Sequence, residues 1–462
     1  MPPVLVLLVC GVALVAILLL GAGWSYRALA GTLIFTGLLL FLFVTYLVRD
    51  FPDLVRDDEA MMLLGTLMIF FVLLIQSLRP WAFSYYLTPI AAASILSSLL
   101  LHPRISIVLT LVLASLLAMA HGFSFDCFLP AFLGGLAGTA SAGAVRTHRD
   151  FVRCGVWVAF FQFASLLAVT IFHGEFSNDF FWGVLWTAIN GLISAVIALG
   201  LLPFLESFFS RVTPMKLLEL ADFNQPLLKR LMVEAPGTYH HSLMMATIAQ
   251  AGARAVGANE LLCRVGAYYH DIGKLVKPEY FIENQGNLGY NPHGNLQPAL
   301  SSLVVVSHVK EGLSLARAAK LPKEILNFIP MHHGTSRIEY FYNQAVENAE
   351  EESLKNYEEG VPADVSVGEE TYRYPGPKPC SKETAILMLA DSVEATARTI
   401  EDPSHQHFKD MVEKIVRRKF RDGQLADSPL TLSDLSKLED AFVSTLTSVY
   451  HARIEYPEDE AG

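Results

Sequence analysis

The sequence predicts an all-α protein in which a polytopic transmembrane helix bundle is followed by a cytoplasmic domain that is also helical throughout. Of the 462 residues, 52% are hydrophobic and only 17% are charged, whereas charged residues make up about 25% of an ordinary soluble protein. The charges are concentrated late in the chain: residues 1–204 contain 8 basic and 9 acidic side chains, and residues 205–462 contain 26 and 36. Beyond residue 204, apolar residues recur at helical spacing, with no sustained alternating run that would indicate a sheet.

The apolar first half contains eight segments that could each form a membrane-spanning helix. Crossing the hydrocarbon core of a bilayer takes about 20 apolar residues. The first segment lacks the basic leader of a signal peptide, so we interpret it as a retained helix. Residues 1–204 are therefore predicted to form the transmembrane bundle. The eight segments cover residues 4–23, 28–48, 60–78, 85–101, 105–121, 127–145, 154–172 and 180–204.

Arginine residues between these segments predict how the bundle is oriented. Lys and Arg collect in cytoplasmic loops, and one side of the predicted bundle has only Arg27 and Arg79. With eight spans, both termini and the whole second half are predicted to be cytoplasmic. The other side of the bundle carries Arg49, Arg56, Arg104, Arg146, Arg149 and Arg153.

The second half divides into a short connection and a helical domain. Residues 205–230 are predicted to form a linker helix, and residues 231–457 a domain of amphipathic helices that Pro and Gly residues interrupt. An acidic stretch near residues 344–373 has few large apolar side chains, so we predict a solvated surface loop there. The acidic balance of this half argues against binding to a nucleic-acid polymer, which requires a basic face.

Histidine and aspartate residues of the second half predict a metal centre. A lone histidine on an apolar helix is more often a core residue than a ligand, but here a whole set of them lies at or near predicted helix ends. Imidazole nitrogen and carboxylate oxygen suit first-row divalent metals. Neighbours in a helix diverge by about 100°, whereas at a helix end adjacent side chains can converge on one point. The candidates are His240, His241, His270, Asp271, His308, His332, His333 and Asp391.

The pair formed by His270 and Asp271 suggests a specific chemistry. An aspartate has two oxygens and could bridge two ions, and two ions about 3.5–4 Å apart form the kind of centre that cleaves phosphate esters. The sequence therefore predicts metal-assisted hydrolysis of a phosphate ester. Lys274 is predicted to hold a non-bridging phosphate oxygen, the alternative being a solvated cation at a helix end.

Longer motifs around these residues resemble one known family. The sequence is similar to the cytoplasmic domain of the bacterial seven-transmembrane HD-domain family, the membrane-bound cyclic di-AMP phosphodiesterases of the PgpH type. The resemblance covers essentially all of residues 205–457 and implies a hydrolase with an HD domain in the inner (plasma) membrane. The motifs that carry it are "EAPGTYHHS", "RVGAYYHDIGKL", "PEYFIENQ", "SHVKEG", "HHGTSRIEYFY", "RYPGPKPCSKETAILMLADSVEA" and "RIEYP".

The same resemblance implies which residues bind metal. It selects the second histidine of "YHH", so His240 is expected to be a structural neighbour only. Two divalent ions, iron or manganese, are implied, and Asp271 is shared by both. Asp271 and Lys274 are the implied catalytic residues. One ion would be held by His241, His270, Asp271 and Asp391, and the other by Asp271, His308, His332 and His333.

The resemblance also implies a substrate and partners. The expected reaction is hydrolysis of cyclic di-AMP to linear pApA, with the lipid bilayer as a further partner; a homo-oligomer is compatible with this. A cyclic di-GMP hydrolase would continue past the double histidine with an acidic residue and a GYP stretch, which this chain lacks. A nucleotide phosphohydrolase of the HD class and a non-catalytic nucleotide-binding receptor are also compatible with an HD domain. Because only "WSYR" separates the first two spans, the family's usual extracellular domain is expected to be missing or truncated.

Overall fold

A computed structural model of the 462-residue chain places it in two compact units, Met1–Lys216 and Leu217–Gly462. Helices dominate both units. The structure describes Gly11, Phe176 and residues 26–79, 85–174, 178–286, 290–358, 367–400 and 403–450.

The first unit consists of apolar helices at the positions that the hydropathy pattern predicts. Each begins and ends within a few residues of a predicted span. A further five-residue helix, Pro52–Arg56, separates the first two of them. The helices are α1 Tyr26–Asp50, α2 Asp58–Leu78, α3 Ile90–Leu100, α4 Pro103–Ala120, α5 Phe125–Ala142, α6 His148–His173 and α7 Asn178–Phe208.

Six of these helices are long and apolar enough to cross a membrane. The exception is α3, which has only 11 residues. Pro103 occupies the first turn of α4, and the residue before a proline is disfavoured in a helix, so the chain leaves α3 at Leu101. The prediction of a polytopic bundle is confirmed. The predicted span at residues 4–23 lies outside the described residues apart from Gly11.

Small and hydroxyl-bearing side chains join α3, α4 and α5 in the interior of the bundle. The hydroxyl oxygens of Ser94 and Thr110 lie 2.6 Å apart, and those of Ser106 and Thr139 lie 2.7 Å apart. All four side chains are buried. Where no water is present, such hydrogen bonds between helices hold a bundle together because the hydroxyls have few other partners.

The prediction of one continuous linker helix over residues 205–230 is wrong. The chain completes α7, then forms two short helices, α8 Pro214–Leu220 and α9 Pro226–Glu234. Pro226 opens α9, and a proline is tolerated in the first turn of a helix but not in its interior. Two prolines at residues 214 and 226 thus divide this segment.

The second unit is helical, as predicted. In the part of the chain that the structure describes, the only β-type pairing is an isolated bridge between Arg337 and Arg373. Short 3₁₀ turns, Ile272–Val276, Pro278–Tyr280 and Glu369–Tyr372, connect some of the helices. The longer helices are α10 Pro236–Ala255, α11 Glu260–Tyr269, α12 Pro298–Ala318, α13 Lys323–Met331, α14 Glu339–Glu358, α15 Lys382–Ala397, α16 His405–Arg421 and α17 Leu432–Val449.

The predicted acidic loop near residues 344–373 is wrong over its first half. Helix α14 continues through this stretch to Glu358. Glu, Gln, Ala and Lys are strong helix formers, and Phe341 and Ala349 provide buried positions on one side of the helix. High charge therefore marks a solvated helix here rather than a loop.

Candidate metal centre

Five helices or helix ends bring seven of the predicted side chains together. His241 lies in α10, His308 in α12 and Asp391 in α15. The other four follow helix ends: His270 and Asp271 come directly after α11, and His332 and His333 after α13. Adjacent side chains converge at these two ends because the chain stops following the helix there.

A close contact between backbones fixes the position of the turn after Asp271. A Cβ atom on Gly273 would lie 1.8 Å from the carbonyl oxygen of His308 and 2.5 Å from the nitrogen of Gly312. Only glycine allows this approach, since both neighbours are backbone atoms that cannot rotate away. The turn that carries Asp271 therefore packs directly on the part of α12 that carries His308.

Asp271 lies between two groups of ligand atoms. Its Oδ2 atom is 3.2 Å from Nε2 of His270 and 4.0 Å from Nε2 of His241. Its Oδ1 atom is 3.4 Å from Nε2 of His308 and 3.6 Å from Nε2 of His332. The two oxygens of one carboxylate thus face different sets of histidines.

The donor atoms fall into two sets whose members lie within 4.8 Å of one another. One set contains His241, His270 and Asp391, and the other contains Asp271, His308, His332 and His333. With Asp271 shared, these are the two groups implied by the family resemblance. Their role as metal ligands stays a prediction.

Hydrogen bonds to the backbone orient three of the histidines. The Nδ1 atoms of His270, His308 and His332 lie 2.6–2.7 Å from the carbonyl oxygens of the residues three positions earlier. A ring whose Nδ1–H donates in this way presents the lone pair of Nε2 to the centre.

A carboxylate orients the fourth histidine. Nδ1 of His241 forms a short hydrogen bond with Glu394, which is buried, while Nε2 lies 3.1 Å from Oδ1 of Asp391. Carboxylate partners of this kind fix the ring of a metal-binding histidine. Glu394 lies three residues after Asp391 on the same helix, a spacing that places both on one face. That spacing is a signal from which the sequence could have indicated Glu394.

Burial and neighbouring charges shift the pKa values of the histidines and aspartates in the centre. Burial lowers the pKa of His308 to about 4 and holds that of His333 well below its ordinary value. Burial also lowers the pKa of His241, but hydrogen bonds to Asp391 and Glu394 outweigh it and raise that pKa to about 10. Burial would raise the pKa of Asp271, yet the charges of His270 and Lys274 keep it well below the usual value. At neutral pH the centre therefore presents ionised carboxylates and neutral rings at His308 and His333.

Lys274 is a mostly buried cation in contact with two carboxylates. Its Nζ atom lies 2.7 Å from Oδ2 of Asp271 and 2.7 Å from Oε1 of Glu283. It also lies 5.0 Å from the ring centroid of Phe281. With 13% of its side chain exposed, Lys274 is not a solvated helix-end cation. Glu283 belongs to the quoted "PEYFIENQ" motif, although the sequence alone assigned it no role.

A cleft of about 400 Å³ opens onto the centre. His241, Lys274, His308, His333 and Asp391 line it. On one wall, Tyr374 stacks on His333, with ring centroids 4.1 Å apart and planes at 27°. Tyr374 was not singled out from the sequence. Members of both sets of candidate ligands thus line one cleft.

His240 lies away from the centre. Its side chain is exposed and its ring contacts that of Tyr239. It belongs to neither set of ligand atoms. This placement agrees with the expectation that only the second histidine of the pair is a ligand.

The donor set fits divalent cations. Four buried atoms of the centre have no hydrogen-bond partner: Nε2 of His270, His308 and His332, and Oδ1 of Asp271. Leaving buried polar atoms unpaired is unfavourable by about 1–3 kcal/mol each. Imidazole and carboxylate donors suit first-row metals, so two bound cations would satisfy all four atoms.

Two family models match consecutive parts of the chain. Residues 26–213 match a family described as "7TM receptor with intracellular HD hydrolase". Residues 238–396 match the HD domain. The first match covers the helical membrane unit, and the second contains all seven candidate ligands.

Two curated relatives are similar in sequence to large parts of the chain. A protein of Bacillus subtilis (strain 168), named cyclic-di-AMP phosphodiesterase PgpH, is 35% identical over 446 residues, which are 94% of this chain and 60% of that protein. A protein of the same name from Listeria monocytogenes is 39% identical over 272 residues, or 59% of this chain and 36% of the relative. The chain thus spans about 60% of the length of the Bacillus relative.

A solved structure matches half of the chain. It is the crystal structure of the Listeria monocytogenes PgpH HD domain in complex with cyclic-di-AMP, which is 40% identical to this chain. The match covers 50% of this chain and 100% of that structure, with a TM-score of 0.45.

Proposed function

Because the chain belongs to the family of seven-transmembrane proteins with an intracellular HD hydrolase domain, we propose that it is a metal-dependent phosphodiesterase that hydrolyses cyclic di-AMP to linear pApA. The observation that carries this proposal is the position of Asp271 between two sets of buried histidine nitrogens. A carboxylate so placed suits a pair of metal ions. The name of the Bacillus and Listeria relatives supports the choice of substrate.

The proposed ligands divide between two ions. His241, His270 and Asp391 would hold one, and His308, His332 and His333 the other, with one oxygen of Asp271 for each. Iron or manganese is proposed, since both accept nitrogen and oxygen donors. When bound, the two ions supply an activated water and neutralise charge on the scissile phosphate.

The protein's own groups position the substrate. The ammonium of Lys274 has three N–H donors, and its two carboxylate contacts leave one that can reach a phosphate oxygen in the cleft. Burial lowers the pKa of this lysine, but the charges of Asp271 and Glu283 outweigh it and raise the value above the ordinary one, so the group stays protonated. Arg398 also lines the cleft. Two cations along one cleft suit a substrate with two phosphates.

We propose that the HD domain faces the cytoplasm, where a cyclic dinucleotide messenger would be found. Arg146 lies between α5 and α6, Arg149 and Arg153 lie in the first two turns of α6, and clusters of arginine next to a membrane span resist translocation. Reporter fusions at residues 145–153 should therefore report a cytoplasmic location in the inner membrane. An extracellular signal there would overturn the orientation.

A substrate comparison tests the function. The full chain, purified in a neutral detergent and supplied with Mn²⁺, should convert cyclic di-AMP to pApA faster than it converts cyclic di-GMP, as followed by chromatography. A preference for cyclic di-GMP or for mononucleotides would assign one of the other hydrolase activities. Binding of cyclic di-AMP without turnover would instead identify a receptor. The size of the purified protein would show whether a homo-oligomer forms.

A further inference from the structure

A second cavity, with a volume of about 750 Å³, lies in the HD domain outside the metal centre. Helix α16, the 3₁₀ turn Glu369–Tyr372 and the segment after His333 contribute to its lining. Twelve of its 13 lining residues are charged, seven of them basic and five acidic, and none is a candidate metal ligand. A basic excess is unusual in this half of the chain, where acidic residues outnumber basic ones by 36 to 26.

Two of the basic side chains form ion pairs with three of the five acidic ones. Arg337 pairs with Glu339 at 2.8 Å and with Glu369 at 3.2 Å. Arg373 pairs with the same Glu369 at 2.6 Å and with Asp422 at 3.1 Å. Three of the five carboxylates thus serve two guanidinium groups, which leaves five cations facing two carboxylates.

Four of the remaining cations lie on the exposed side of α16. Among the residues that the structure describes, no carboxylate lies within 4.0 Å of Lys414, Arg417, Arg418 or Arg421. Exposed cations on a helix are ordinarily just solvated. Alone they would indicate nothing about a ligand.

The fifth cation, Lys419, is different because it is buried. Only 8% of the residue is exposed, and its Nζ atom donates a hydrogen bond to Oγ of Ser336 at 2.7 Å. Burial lowers the pKa of its ammonium to about 8. No described carboxylate lies within 4.0 Å of Nζ, so none of its three donors has an anionic partner, and one of them is used by Ser336. The charges of Asp391, Asp422 and Glu339 act on this ammonium only from beyond ion-pair distance, and burial outweighs them. A buried charge without a directly paired counter-charge is unfavourable, and a bound anion would offset that cost.

We propose that this cavity binds a soluble oligophosphate, with Lys419 and Ser336 at its inner end and the arginines of α16 along its side. The planar guanidinium fork of arginine matches phosphate oxygens in a bidentate geometry. No aromatic side chain lines the cavity, so recognition falls on the phosphates rather than on a base. The volume lies within the range of about 300–1,000 Å³ that small-molecule sites occupy.

Direct binding to the full chain tests the proposal. Inorganic tripolyphosphate is titrated calorimetrically into the protein in neutral detergent with EDTA, so that metals cannot retain the probe at the HD centre. A double variant, Arg417→Ala with Arg418→Ala, should raise the Kd at least about tenfold, because each charge-assisted contact contributes to affinity. Lys419→Met should weaken binding similarly. Since both arginines are exposed, the double variant decides the test even where Lys419→Met fails to fold.

Matched controls separate binding in this cavity from general attraction to the helix and from binding at the metal centre. Lys409→Ala removes an exposed cation of the same helix that does not line the cavity, and it should leave the Kd unchanged. His333→Ala should also leave it unchanged. Equal weakening by Lys409→Ala, loss of binding in His333→Ala, or absence of binding to the unaltered protein would overturn the proposal. Displacement of tripolyphosphate by a short-chain phosphatidylglycerol at similar concentration would assign the site to a lipid head group. That result would overturn the proposal of a soluble ligand.

Discussion

The ammonium nitrogen of Lys274 lies 2.7 Å from Oδ2 of Asp271, so the lysine and the aspartate of "HDIGK" form a buried ion pair. The two residues are three positions apart, across the turn that follows α11. The pair joins the proposed phosphate contact to the carboxylate that both ions would share. This arrangement gives the lysine an electrostatic role that a solvated cation would not have.

Replacing Lys274 by alanine should slow cyclic di-AMP hydrolysis by about 100- to 1,000-fold, the usual effect of removing one donor to developing charge. Both metals should stay bound, because the change removes a positive charge from the centre and leaves every proposed ligand in place. Turnover and metal content, measured on the same preparation, check this.

Lys277 is the matched control, since it is exposed and lies three residues further along the chain. Lys277→Ala should behave like the unaltered protein. Full activity in Lys274→Ala, or loss of its metals, would show that the lysine has no role in transition-state stabilisation.

Adding a methyl group at Gly273 should disrupt the centre although none of the candidate ligand side chains is changed. The new Cβ would lie 1.8 Å from the carbonyl oxygen of His308, so the turn and α12 must move apart. Overpacking of this kind typically costs about 1–3 kcal/mol. Gly273→Ala should therefore lower the thermal stability, metal content and turnover together.

Gly368→Ala provides the control, because no atom lies within 4 Å of a Cβ built at that position. It should change neither metal content nor turnover. Normal metal content in Gly273→Ala would contradict the idea that this close approach sets the distance between Asp271 and His308.

Alanine substitutions of the two adjacent histidines of α10 should have very different effects on turnover. His241 is buried between Asp391 and Glu394, whereas His240 is exposed. His241→Ala should abolish turnover by removing a ligand, and His240→Ala should leave turnover within about twofold, as expected for a surface change. Hydrolysis rates of the two variants check this, and the reverse order would show that the ligand assignment in this pair is wrong.

The fold class and the candidate ligands could be predicted from the sequence, because both depend on local patterns. Long apolar runs indicate membrane helices wherever they occur, and histidine pairs at helix ends are visible without a structure. The acidic segment forms α14 and not the predicted loop over residues 344–358, because a high content of charged residues indicates exposure to solvent and does not distinguish a charged helix from a loop.

Other features depend on contacts between distant parts of the chain. Glu283 meets Lys274 across a turn, and Tyr374 reaches His333 from a segment about 40 residues later in the chain. The steric need for Gly273 arises only where α12 packs on the turn. The burial of Lys419 likewise could not be predicted from the sequence, because Lys419 is one of four basic residues within five positions.

The metal content per chain tests the central claim, that Asp271 bridges two ions, most directly. Elemental analysis of the full chain purified with Mn²⁺ should give two ions per chain, and Asp271→Asn should give at most one, because the neutral amide offers only one good oxygen donor. One ion or none in the unaltered protein, or two in Asp271→Asn, would contradict a dinuclear centre bridged by this residue.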